Sequence, residues 1–144
     1  MGMGPNPTFE KASKAGAAIA AFRILKFGAD DDHLIQSAAA TDGHMGVAAH
    51  AAAAAEDSIR AVLAGIAKVE YGGTITRGDR ITADANGKAV KAADLTIASG
   101  ATPVTSSAAN GAIIAGSVPP SRTVGIAMKS GVLNDIGVVL LYPS

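Results

Sequence analysis

Apolar and polar residues alternate over short stretches of this chain, and small polar turns punctuate the stretches. The longest runs from Ile59 to Glu70, with Arg60, Lys68 and Glu70 as its polar members. Shorter runs of the same kind start at Arg23-Ile24, at His33 to Gln36 and at Gly46 to His50. Others follow at Arg80-Ile81, Lys88 to Lys91, Gly125 to Lys129 and Val138 to Leu141. Between them lie turn signals: Gly28 to Asp32, Tyr71-Gly72-Gly73-Thr74, Thr76-Arg77-Gly78-Asp79 and Asn134-Asp135. Asn86-Gly87 is the strongest hairpin cue, because both central positions of a type I′ turn need positive φ. Many short strands separated by such turns predict an all-β domain, either a β-sandwich of jelly-roll-like form or a small barrel.

The pattern occurs twice. Strand, polar turn, strand, a Gly-led strand, an acidic turn and an apolar run follow one another from Arg23, and again from Arg80. Pairing Gly46 with Gly125 gives an offset of 79, and pairing Asp57 with Asp135 gives 78. The domain is therefore expected to be built from two related β units, about 22–65 and 79–144. This overrides a local reading. Ala48 to Ala55 suits a helix on propensity alone, since alanine is the best helix former. Its counterpart, Met128 to Leu133, carries glycine and β-branched residues that suit a strand and loop. The alanine run is expected to be a strand end and compact loop, with a short helix as the competing expectation.

Around these units lie two further segments. Residues 1–21 read as an N-terminal arm, proline-punctuated to Pro7, leading into an extended strand with a turn near Lys14-Ala15-Gly16. Residues 94–121 interrupt the second unit where the first has a short link. This insertion carries Pro103, Pro119, Pro120, Asn110-Gly111 and one apolar island at Ala112-Ile113-Ile114-Ala115. So long an insertion in a compact domain suggests a functional loop or hairpin. The remainder, 22–144, is expected to be a single β domain.

Composition narrows what such a domain can do. Of the 144 residues 49% are apolar but only 3% aromatic, with no Trp, so the core must be built from Val, Ile, Leu and many alanines. Small residues bury little area each, at ~25 cal/mol per Å², so docking or self-association would add much. Twelve Lys and Arg balance twelve Asp and Glu, leaving no basic field for phosphate contacts, and two Tyr and three Phe offer little for base stacking. Nucleic acid is therefore not an expected partner. The absence of cysteine excludes disulfides and thiolate metal sites and suits assembly in a reducing cytoplasm. No apolar run approaches the ~20 residues of a membrane span, and no secretion signal is evident.

Candidate chemistry is sparse. Asp30-Asp31-Asp32-His33 hints at a divalent cation, but consecutive strand residues point to opposite faces, and the run reads better as a solvated hairpin turn. His33, His44 and His50 lack the spaced partners a zinc site needs. No serine lies in a G-x-S-x-G turn. Arg77-Gly78-Asp79 spells an adhesion tripeptide, yet it is the turn feeding the strand at Arg80. Catalytic residues, metal ligands and cofactors are not expected.

The stretch from Leu63 through Glu70-Tyr71-Gly72-Gly73-Thr74 and Arg77-Gly78-Asp79 to Asn86-Gly87-Lys88-Ala89-Val90 resembles the phage capsid decoration, or cement, proteins of HK97-type shells. Gly125-Ile126-Ala127, Gly131, Asp135-Ile136-Gly137 and Val138 to Leu141 are similar to that family's closing hairpin. The resemblance covers most of the chain after residue 20 and lies in turn chemistry and strand order. It implies a non-enzymatic virion protein, made in the host bacterial cytoplasm, that binds the outer capsid surface. Its partners would be the major capsid protein and itself, as homodimer or homotrimer. Members of the family are often labelled recombinases. Here the only Gly-Lys pair, Gly87-Lys88, is followed by Ala89 and has Thr82 where a phosphate loop needs glycine, so no nucleotide cradle exists. From composition and position, the expected capsid or subunit contacts are Pro5, Pro7 and Phe9 in the arm and Val104, Ile113, Ile114 and Val118 in the insertion. Alternatives from other classes are a nucleic-acid-binding accessory protein of recombination and an assembly module outside any virus.

Overall fold

A computed structural model describes residues 4–93 and 121–142. Among the described residues there are nine strands and no helix. They are β1 (Asn6–Ala15), β2 (Ile24–Phe27), β3 (His33–Gln36), β4 (His44–Ala48), β5 (Ser58–Glu70), β6 (Arg80–Ala83), β7 (Ala89–Lys91), β8 (Gly125–Ala127) and β9 (Ile136–Leu141). The all-β expectation holds, and the alanine run is a strand end and loop. Ala52, in the middle of that loop, forms an isolated bridge to Ile19.

Strand order along the sheet is β1-β3-β2-β4-β5-β9-β8-β6-β7, with β1 also pairing β5. That extra pairing closes β1, β3, β2, β4 and β5 into one small barrel. The strands β5, β9, β8, β6 and β7 form a second ring, closed by a bridge from Tyr71, just past β5, to Ala89. The 13-residue β5 belongs to both rings: its first half closes the first barrel and its second half opens the second.

The loop hydrogen bonds recur barrel by barrel. Ala15 N–H donates to Asp57 O and Glu56 N–H to Ala15 O; Tyr71 N–H donates to Asp135 O and Asn134 N–H to Tyr71 O. The Ile19–Ala52 bridge has its counterpart in Ile75–Gly131. Left-handed backbone recurs as well, at Phe22 (φ 62°) and Gly78 (φ 98°), and at Glu56 (φ 72°) and Asn134 (φ 70°). The structural unit therefore starts a strand earlier than Arg23, at the end of β1. Its first strands also superpose one residue away from the Arg23–Arg80 pairing, since Ala48 N–H donates to Arg23 O where Ala127 N–H donates to Asp79 O.

The arm needs a correction. Asn6 and Pro7 are not a free extension but pair with Ile66 and Gly65 of β5. Eight residues of β1 have partners along β5, so this segment is a wall of the first barrel. Most of the 94–121 insertion lies outside the described residues.

Each barrel has its own core. Ala15, Ile19, Leu25, Leu34, Ala48 and Ile59 fill the first; Tyr71, Ile75, Ile81, Ala127 and Val139 fill the second. Ile24, Val47 and Val62 point out of the first barrel and join the second core, so the barrels are fused side by side through apolar contact. Burying each of these large side chains contributes about 1.5–3 kcal/mol.

Candidate functional site

The expected contact residues fall into three places. Pro5 and Pro7 line a cleft of about 220 Å³ whose floor is Val47, Val62 and Ala67. Phe9 lines a second cleft, of about 410 Å³, with Met45, Leu63, Val124, Leu141 and Tyr142. A bulge separates the two groups: the β1–β5 register shifts between Pro7 and Phe9, so one extra residue, Thr8, turns Phe9 away from the proline face. Val104, Ile113, Ile114 and Val118 lie outside the described residues.

Phe9 is 59% exposed beside an apolar cleft, an unusual position for one of five aromatic residues. The cleft is lined by both barrels. Met45 and Leu63 enter from the first barrel, Val124 and Leu141 from the equivalent positions of the second.

A second apolar surface was not legible in the sequence. Leu140 pairs with Ile126 on one side and Ile66 on the other, and all three point outward from the second barrel. Leu140 is 41% and Ile126 36% exposed. The residues at the same positions of the first barrel, Val62 and Val47, are almost wholly buried against the second. One barrel's interior seam is thus the other barrel's open face. Val132 and Leu133, in the loop before β9, and Ile136 at its start are exposed as well. Only the offset between the repeats could have found it, because no local pattern separates Leu140 from Val62.

The seam between the barrels is also polar at one end. Arg23 donates to Asn86 O at 2.8 Å and pairs with Glu70 at 2.9 Å, and Lys88 pairs with Glu70 at 3.1 Å. His44 Nδ1 lies 3.0 Å from Ser37 Oγ, and the Thr82 hydroxyl donates to Arg122 O at 2.7 Å. Burial depresses the His44 pKa below 6.5, so the ring crosses the seam uncharged at neutral pH.

The acidic run is a turn. Asp30 Oδ1 accepts the Asp32 and His33 N–H groups at 3.1 Å each, and also meets His33 Nδ1 at 2.6 Å. Among the described residues no three His, Asp or Glu side chains are disposed to hold a metal ion. The described surface thus carries two largely apolar clefts and an apolar row, and the first cleft is edged by Lys68 and by the Glu10–Arg60 pair, 3.5 Å apart.

No protein-family model matches this chain, and no curated protein matches it. Among solved structures it is similar to the N base of the head fiber gp8.5 of bacteriophage phi29, seen in a crystal structure. The TM-score is 0.62 at 17% identity, over 93% of this chain and 93% of that one. The two chains share a fold.

Proposed function

We propose that this protein is a structural component of a phage virion, a decoration protein that binds the outer capsid surface and bridges neighbouring major capsid subunits. The observation that carries this reading is the likeness to the phi29 head fiber base over nearly the whole of both chains. Surface chemistry agrees with it. The clefts and the Ile126–Leu140 row offer apolar area for shape-driven packing, and a net charge of zero suits a protein shell better than a polyanion. Self-association as a dimer or trimer belongs to the same reading, because a small-residue core gains from added buried surface.

Co-sedimentation with empty, expanded capsid shells tests it, with a low-salt DNA-binding control. Saturable binding to shells and none to DNA is the expected result. Binding to DNA without binding to shells overturns the reading in favour of a recombination accessory. A variant lacking residues 100–118 should stay folded and bind shells more weakly; if it unfolds, the insertion is not a contact arm.

A further inference from the structure

His33 stands between two carboxylates. Its Nδ1 is 2.6 Å from Asp30 Oδ1 and its Nε2 is 2.7 Å from Glu56 Oε1. A neutral imidazole has one N–H and a carboxylate only accepts, so both contacts are hydrogen bonds only when the ring is doubly protonated. The contacts join two loops of the first barrel: Asp30 lies in the turn before β3, and Glu56 is the left-handed residue leading into β5. The other charged groups around the ring are Lys14 of β1, 3.5 Å from Glu56 Oε2, and the turn neighbours Asp31 and Asp32.

The second barrel makes the same tie with different chemistry. Lys88 occupies the position of His33 and donates to Asn134 Oδ1 at 2.6 Å, Asn134 being the left-handed residue equivalent to Glu56. Lys88 also pairs with Glu70, which stands where Lys14 stands in the first barrel. Of the two side-chain types, histidine is the one that gains and loses its charge near neutral pH.

We propose that His33 is a pH-sensitive latch on the first barrel alone: as an imidazolium it ties the β2–β3 turn to the entry of β5, and on losing one proton it must release one of its two carboxylates. The hydrogen bonds to Asp30 and then Glu56 raise its pKa above 6.5. The latch therefore contributes fully below pH 6.5, while both carboxylates stay ionised, and is lost as pH rises through that raised value. The bond to His33 in turn lowers the pKa of Asp30 and of Glu56, which keeps both charged to more acidic pH.

Amide hydrogen exchange on the whole chain, read as protection factors, tests this with an internal control. Glu56 N–H, bonded to Ala15 O, and Gly16 N–H, bonded to Leu34 O, report on the first barrel. Their counterparts Asn134 N–H and Gly72 N–H report on the second. Between about pH 6 and pH 9, protection at Glu56 and Gly16 should fall several-fold, with Asn134 and Gly72 unchanged. His44 does not confuse the comparison, since its lowered pKa leaves it neutral over most of that range. The variant H33K should abolish the pH response while keeping the tie. A His33 ring titrating below 6.5, an equal response in both barrels, or a response that persists in H33K would overturn the proposal.

Discussion

Tyr71 shows how one pair of barrels is packed in two ways. It is fully buried, and its hydroxyl donates to Lys129 O at 2.5 Å. In the first barrel its position is held by Ala15, while Ile59 and Ala52 stand where the second has Gly137 and Gly131. A Cβ on Gly137 would run into the Tyr71 ring, and one on Gly131 would come within 2.9 Å of it. One large aromatic thus replaces what an isoleucine and an alanine fill in the other barrel. Tyr71→Ala should cost about 3–5 kcal/mol in denaturant unfolding. Adding Gly137→Ile, which copies the first barrel's arrangement, should recover part of that loss, with a coupling of roughly 0.5–3 kcal/mol. Additive losses would contradict the volume exchange. Gly46 and Gly125 make the opposite point, since both barrels need the same residue. A side chain at Gly46 would strike Val62 O, and one at Gly125 would strike Leu140 O. Gly46→Ala and Gly125→Ala should each destabilise by about 1–3 kcal/mol, and two unchanged melting temperatures would refute this. The glycines were visible in the sequence because each leads the same strand of its repeat unit. The plug was not: Tyr71 precedes two glycines and reads as turn, and nothing local reports the volume it fills.

Strands were legible where alternation and turn residues coincide, as at Lys88 to Lys91 beside Asn86-Gly87, or at Val138 to Leu141. β1 was expected to be extended only from Phe9 onward, and its local signal is weak. Its residues are exposed as far as Ala12 and rich in Ala and Lys, so neither period nor propensity marks it. Its strand character comes from β5, which supplies partners from Ser58 to Ile66. Tertiary pairing has overridden a weak local signal. A free arm to Pro7 would be dispensable; β1, as the wall joining β3 to β5, is not. A variant lacking residues 1–13 should lose the first barrel, seen as a large loss of amide protection in β2 to β5. Removing residues 1–4 should leave the melting temperature within a degree or so, because surface changes usually fall within about 0.5 kcal/mol. Equal stability of the two truncations would contradict the closed ring.

At the scale of the molecule, sharing β5 couples the barrels, and the Ile24, Val47 and Val62 contact makes each a wall of the other's core. Thermal unfolding should therefore follow a single transition by probes in either barrel. The seam carries its own pH dependence. His44 is held neutral by burial, so its contribution is present above pH 6.5 and is lost as pH falls through its lower folded pKa. Acid should thus lower the melting temperature of the native chain more than that of H44Q, and an equal loss in both would place His44 outside the seam's titration. Among the described residues, the outward row of Ile126 and Leu140 has no counterpart of the second barrel to cover it. In the virion reading this face and the Phe9 cleft are the surfaces offered to the shell, and L140D should weaken shell binding without unfolding the chain. The central claim is that the protein is built into the particle. Quantitative mass spectrometry of purified phage particles, scaled to the major capsid protein, tests it most directly. The account predicts a fixed copy ratio that survives repeated gradient purification, and absence of the chain from mature particles would contradict it.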